Sequence, residues 1–269
     1  MTGTKLENKS MQSGHTPLSY NTYLKVSELK KLQECQSDPA HHDEPLFIVI
    51  HQAYELWFKL ILHELDTVTQ FIVDNDPRQA TFFMRRIIAI LKLLVGQIHL
   101  LETMSPKDFL GFRYALNPAS GFQSSQFREI EISGGIRDEQ LLEHFKSDPD
   151  TFAQLQARLA KPSLQELFYD LLRRQGFKLD KDQSEEARLK ELTKLFADDK
   201  KMYDLKDLSE TFVDFDEQLS LWRINHVTVV ERMIGFKRGT GGSEGVGYLR
   251  TTLTKRCFPD LWNMRSYLE

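Results

Sequence analysis

A chain of 269 residues that is 41% hydrophobic, 28% charged and 11% aromatic is long enough to bury a core and a ligand, and too apolar for disorder. Its formal net charge of -4 offers no cationic footprint for nucleic acid or an anionic membrane, so the expected partner is a small molecule or a protein. Two cysteines, Cys35 and Cys257, exclude a disulfide framework and, with no Cys-x-x-Cys, a zinc ribbon or covalent haem attachment; the expectation is a reducing, cytoplasmic compartment.

Residues 1–17 are polar and lack both helical periodicity and the apolar core of a signal peptide, which predicts a flexible arm. The remainder, 18–269, is expected to be a single all-helical domain. "PLSYNTYLKVSELKKLQ" opens the helical pattern. "HHDEPLFIVIHQAYELWFKLILHELDTVTQFIVDN" predicts a long helix with Asp43 as its cap, Pro45 in its first turn and Asn75 to Pro77 ending it. On its wheel His51 shares the apolar face with Phe47, Phe58 and Leu62, while His63 falls in a polar sector with Gln52, Lys59 and Asp66. "DPRQATFFMRRIIAILKLLVGQIHLLETM" restarts at Asp76, so two long antiparallel helices joined tightly are expected, and no uninterrupted apolar run reaches the ~18 residues of a membrane span.

"SPKDFLGFRYALNPASGFQSSQFREIEISGG" has a different texture: a short helix from Ser105, an Asn117-Pro118 break, then Ser120-Gly121 and another helical piece. Irregular backbone in a helical protein is where sites tend to be. Short helices follow around Pro149 and Pro162. Residues 178–207 hold seventeen charged residues of thirty, with Leu189, Leu192 and Phe196 on one stripe, and read as a solvated helical excursion. From Leu208 a further long helix carries Leu219, Trp222, His226, Val229, Val230 and Met233 on one side, ending at Gly235 to Gly239. "GTGGSEGVG" and a last helical piece close the chain. No period-2 strand pattern and no internal repeat are found.

His226 amid an apolar stripe is compatible with a core histidine bonded to a carbonyl, and equally with a neutral imidazole facing an apolar slot that takes a porphyrin. A second histidine on a second apolar helix, His51, favours a shared cavity, because burying a polar ring is costly. Zinc lacks a motif: there is no His-Glu-x-x-His, and His41-His42 has no evident third ligand. "GTGGSEG" follows a helix rather than a strand and precedes no Gly-Lys-Ser/Thr, so a phosphate loop is excluded and a loop closing over a ligand competes with a plain surface turn. Arg113, one turn after Phe109, has a fork that could hold a carboxylate, or could form a surface ion pair. Tyr20 and Tyr23 read as packing residues. No Gly-x-Ser-x-Gly supports hydrolase chemistry.

"HDEPLFIVIHQAYELWFK", "GFRYALNPASGFQSSQFR" and "LWRINHVTVVERMIG" followed by "GTGGS" resemble, in order and over nearly the whole chain, the signature blocks of the tryptophan 2,3-dioxygenase family. The resemblance implies an all-α fold whose long antiparallel helices enclose one haem b per subunit, a homotetramer, and insertion of both atoms of O2 across the indole C2–C3 bond of L-tryptophan to give N-formylkynurenine, the first step of catabolism through kynurenine. It implies His226 as the axial haem ligand, Ser120 and Gly121 beside the haem, and His51 as the group that hydrogen-bonds the indole N–H. It implies Arg113 on the substrate carboxylate, Thr240 on its ammonium and carboxylate, and Phe47, Phe109 and Leu116 as walls of the indole pocket. Tyr20, Tyr23 and Leu24 match arm residues that complete a neighbouring subunit's pocket. Glu244 and Val246 stand where the family pattern has a serine and an aromatic. The competing expectations are a related haem oxygenase acting on another aromatic substrate, and a haem-binding sensor or carrier without turnover.

Overall fold

The computed structural model describes residues 18–268 apart from 181, 198–199 and 241–244. The chain divides into two compact units, Met1–Cys35 and Gln36–Glu269. The arm boundary expected at residue 17 lies outside the described residues. In the first unit, α1 (Tyr20–Leu24) is capped by Ser19, whose hydroxyl accepts from the Thr22 amide at 3.2 Å. Lys25, with φ 53°, separates it from α2 (Val26–Leu29), and neither helix has a buried residue.

The second unit is helical, with no strand among the described residues. Its frame is α3 (Glu44–Val73), α4 (Pro77–Gln97) and α10 (Tyr203–Ile234); between them lie α5 (Pro106–Arg113), α6 (Ser125–Gly134), α7 (Pro149–Leu159), α8 (Leu164–Arg174) and α9 (Glu185–Leu192), and after them α11 (Val246–Thr251) and α12 (Pro259–Asn263). Asp43 precedes α3, but its side chain meets His42 Nδ1 at 2.8 Å instead of capping the helix; at α4, Asp76 does cap, accepting from the Gln79 amide at 3.0 Å. That difference does not shorten α3, because Pro45 in its first turn presets the backbone.

The pairing order gives the topology. Gln97 reaches the Ile50 carbonyl, the Tyr54 hydroxyl reaches the Leu94 carbonyl, and Arg86 pairs with Glu64, so α3 and α4 run antiparallel. Arg85 pairs with Asp207 and Arg232 with Glu102, so α10 runs parallel to α4 and therefore antiparallel to α3. Fully buried Ile61, Leu65 and Ile72 of α3, Met84, Ile87 and Leu91 of α4, and Phe212 and Phe215 of α10 fill the space between them. Each such side chain contributes roughly 1.5–3 kcal/mol by leaving water. By length and composition alone α3 would suffice to cross a membrane; here its buried face is part of this core.

Two elements differ from the sequence expectation. α10 begins at Tyr203, before Leu208, because Leu205 is buried and the charges around it ride the outer face. In the charged stretch, Leu189, Leu192 and Leu195 reach the core, and Arg188 holds the Asp260 carboxylate at 2.5 Å. The C-terminal helix is locked on α10 by buried Asp216, which accepts from the Cys257 and Phe258 amides at 2.9 and 3.1 Å and from Trp262 Nε1 at 3.1 Å.

Candidate active site

α3 and α10 bring the two histidines together. The Tyr54 and Trp222 rings meet edge-on at 6.2 Å; His51 lies one turn before Tyr54 and His226 one turn after Trp222, and the helices are antiparallel, so the histidines fall at the same level. His226 has its pKa pushed down to about 4, first by burial, then by the charge of His51 and of Arg128. Burial also lowers the His51 pKa, against the Phe47 carbonyl and the Glu55 carboxylate, which pull it up. Both rings retain some accessible surface although burial governs their protonation.

The two rings are held differently. His51 Nδ1 donates to the Phe47 carbonyl at 2.7 Å, and its ring lies 4.0 Å from the Phe47 ring. A carbonyl only accepts, so the neutral ring carries its proton on Nδ1 and keeps an acceptor lone pair on Nε2. No described residue hydrogen-bonds the His226 ring; Trp222 stacks on it at 4.9 Å and 20°, and Phe127 backs Trp222 at 4.7 Å. An orienting hydrogen bond, the usual expectation for a metal-bound histidine, is replaced here by stacking.

Phe47 meets Phe109 at 5.7 Å and Phe112 at 5.9 Å, and Phe109 meets Phe112 at 5.5 Å, which joins α5 to the His51 side of α3. Leu116 packs half-buried on the same core. Ser120 caps a short turn, accepting from the Phe122 amide at 3.3 Å, and a side chain added at Gly121 would meet nothing within 4 Å, so the backbone there borders open space.

Arg113 closes α5, where Ser105 caps the start by accepting from the Asp108 amide at 3.1 Å. Its guanidinium donates to the Arg238 carbonyl, and Thr240 Oγ1 donates to the Ala119 carbonyl at 2.6 Å. Two hydrogen bonds thus tie the 113–119 segment to the start of the glycine-rich segment. Gly245, at φ 63°, presses against the Lys237 carbonyl, where a Cβ would come within 2.5 Å, so the two ends of that loop meet at a neck only glycine fits. Glu244 lies outside the described residues; Val246 is buried at the start of α11. Tyr20, Tyr23 and Leu24 of the first unit are 75%, 69% and 44% exposed.

Among the described residues no three His, Cys, Asp or Glu side chains converge as a metal site. A haem iron needs only one axial donor from the protein, and His226, neutral and free of competing hydrogen bonds among the described residues, is suited to it. The residues present therefore fit a haem. A surface cleft lined by Asp66, Thr69, Ser133, Arg158, Lys161 and Pro162 is a separate feature: Asp66 is roughly 22 Å along α3 from His51.

Sequence reasoning does not single out Phe112, Arg128, Glu131 or Arg223. Arg128 and Glu131 stand three apart in the helical piece "FREIEISGG", the one local signal that they pair.

The sequence model of the tryptophan 2,3-dioxygenase family matches residues 4–178 and 165–268. The tryptophan 2,3-dioxygenase of Nocardioides sp. is 44% identical over 257 residues, covering 93% of this chain and 95% of that protein. The one from Herpetosiphon aurantiacus is 43% identical over 258 residues, covering 93% and 98%, and the one from Bacillus anthracis 39% over 261 residues, covering 93% of each.

Proposed function

The chain belongs to the tryptophan 2,3-dioxygenase family, and on that premise we propose that it is a haem-dependent oxidoreductase that joins O2 to L-tryptophan. Both oxygen atoms enter across the indole C2–C3 bond, that bond breaks, and the product is N-formylkynurenine; substrate plus O2 accounts for every atom. The observation that carries the reading is the pair of neutral histidines at one level of the packed helices α3 and α10, one held by stacking alone and one with its tautomer fixed by a carbonyl.

His226 would hold the haem iron through a ring nitrogen, with Ser120 and Gly121 along its edge. Bound there in the ferrous state, haem b supplies the binding and activation of O2. The chain's own residues position the substrate. His51 Nε2 accepts the indole N–H, which requires the neutral ring that burial maintains. Phe47, Phe109 and Leu116 exclude water around the indole. Arg113 exchanges the Arg238 carbonyl for the substrate carboxylate, a stronger acceptor that suits its two-pronged donor geometry. Thr240 meets the ammonium end. The indole C3 is itself electron-rich, so His51 orients rather than acting as an indispensable base.

The reading extends to a homotetramer and a cytoplasmic location. The first is supported by exposed apolar side chains on all three framing helices, Val49 and Leu56 on α3, Leu93 on α4, and Leu221 and Ile224 on α10, and by the exposed Tyr20, Tyr23 and Leu24, which suit docking on a second copy's pocket. The second is supported by two free thiols, Cys35 and Cys257. A different aromatic substrate, or a carrier without turnover, is weaker because neither explains an arginine and a threonine gathered at one end of the site.

The test is turnover of reduced holoprotein with L-tryptophan under isotopically labelled O2, followed by mass spectrometry. N-formylkynurenine with both labelled atoms is expected. A holoprotein that forms no such product, or a product with a single labelled oxygen, overturns the proposal.

A further inference from the structure

Behind Trp222 lies a buried charge cluster that the proposed reaction does not use. Arg128 of α6 is 9% exposed, Arg223 of α10 2% and Glu131 of α6 2%. Glu131 accepts from Arg128 Nη1 at 2.6 Å and from Arg223 Nη2 at 2.8 Å, so one carboxylate serves two guanidinium groups. Arg223 Nη1 donates to the Lys255 carbonyl at 3.1 Å. The Nε atoms of both arginines are buried without an acceptor. Within the cluster two guanidinium groups share one carboxylate, a formal excess of one positive charge; of the neighbouring ion pairs, Lys255 meets Asp138, and Arg158 lies between Glu129 and Asp66.

Stability does not account for this arrangement. A buried ion triad is commonly no more stabilising than apolar side chains of the same size, and a buried N–H without a partner is unfavourable in any setting. Its location is informative. The Arg128 guanidinium sits 4.9 Å from the Phe122 ring, next to the Ser120-Gly121 turn, and 5.6 Å from Phe127, which contacts the Trp222 that stacks on His226. Arg223 is one turn from His226 on the same helix. The charge of Arg128 is felt at the His226 ring, where it opposes protonation.

We infer that the Arg128–Glu131–Arg223 cluster is a fixed positive field beside the cofactor site that favours the ferrous state of iron carried on His226. The inference rests on the haem reading of the site. One-electron reduction lowers the charge on the iron by one, and a nearby buried cation stabilises the less positive state. Because the cluster is out of water, salt screens it little. Arg128 is a positioning residue in this sense: it acts on the iron through the field and touches neither O2 nor substrate.

The experiment is a spectroelectrochemical titration of the holoprotein, with a mediator supplying the electron. Arg128→Gln removes the positive charge and is expected to lower the midpoint potential. Glu131→Gln removes the compensating negative charge and is expected to raise it. Arg128→Lys should stay near the unmodified protein, and the shifts should persist at high salt. Opposite signs for the two glutamine variants are the signature, since loosened packing alone would not reverse with the sign of the charge removed. If Arg128→Gln does not retain haem, the Glu131→Gln potential decides, a rise supporting the inference. Unchanged potentials, or glutamine variants shifting in the same direction, overturn it. Failure of the underlying reading is distinct: the unmodified protein would then show no histidine-ligated haem spectrum at all.

Discussion

The helical end and the loop end of the site are built on different principles. At the helical end His51 and His226 sit on the core-facing sides of helices of 30 and 32 residues, and each ring is fixed by its own helix: His51 by the carbonyl of Phe47 one turn back, His226 by the ring of Trp222 one turn back. At the loop end Arg113 and Thr240 stand at a helix terminus and in a glycine-rich segment, and each is held by a carbonyl far away in sequence. The first arrangement keeps a ligand geometry whether or not anything is bound. The second is held by main-chain acceptors that a zwitterion can displace, so on the proposed reading recognition of the amino-acid end would exchange those partners while the haem end stays as it is.

Breaking the helical end should have the largest effect. His226→Ala removes the proposed axial donor of α10, and the purified protein is expected to lose its haem, read as the haem-to-protein ratio from the absorption spectrum. Normal occupancy with an unchanged spectrum would refute the axial assignment. Breaking the loop end should leave haem in place. Arg113→Ala is expected to cost on the order of 2–5 kcal/mol in kcat/KM for L-tryptophan, because a buried carboxylate then has no partner. Tryptamine, which lacks the carboxylate, should be a very poor substrate of the unmodified protein, and the variant should narrow the gap between the two. Arg113→Lys keeps the charge without the fork and should rescue only in part. Equal efficiency on tryptamine and L-tryptophan before any mutation would sink the anchor assignment while sparing the haem.

A smaller effect sharpens the comparison from within the helical end. In the proposed role His51 would accept the indole N–H only when neutral, and burial holds its pKa below the ordinary histidine value. As pH falls, the ring therefore stays neutral past the point at which an exposed histidine would charge, and the acid limb of kcat/KM is expected below pH 6.5. His51→Ala should keep haem and some turnover but lose that limb, at a cost of about 1–3 kcal/mol for the missing acceptor. A limb unchanged in the variant would assign it to another group.

The two ends are also unequally legible in the sequence. Helical periodicity alone puts His51 with Phe47 and Phe58, and His226 with Trp222, so the faces that meet can be read from residue spacing. Periodicity fails where charge masks it: Leu205 is buried amid lysines and aspartates, and α10 already runs through it. A lone arginine ending an eight-residue helix has no period to betray it, and only the block resemblance decides between a carboxylate anchor and a surface ion pair for Arg113. Its partner, the Arg238 carbonyl, carries no residue signature at all, since every residue offers a carbonyl. The Glu131–Arg223 pair is invisible for a related reason: 92 positions separate its members, and only the packing of α6 on α10 joins them.

The smallest expected effect concerns Thr240, whose hydroxyl has one proton to give and two lone pairs to offer. Here the proton goes to the Ala119 carbonyl at 2.6 Å, which leaves the oxygen as an acceptor aimed by that bond. An ammonium group is the complementary partner, and its position relative to the carboxylate held by Arg113 reverses between enantiomers. Thr240→Ala should therefore cost only about 1 kcal/mol with L-tryptophan, the value of one modest hydrogen bond, while leaving D-tryptophan nearly unaffected. The ratio of kcat/KM for the two enantiomers falls as a result. Thr240→Ser keeps the donor and the lone pairs and should preserve the ratio. Should Thr240→Ala lower both enantiomers equally, the hydroxyl would be fastening the 119 and 240 segments together and not reading the substrate's chirality.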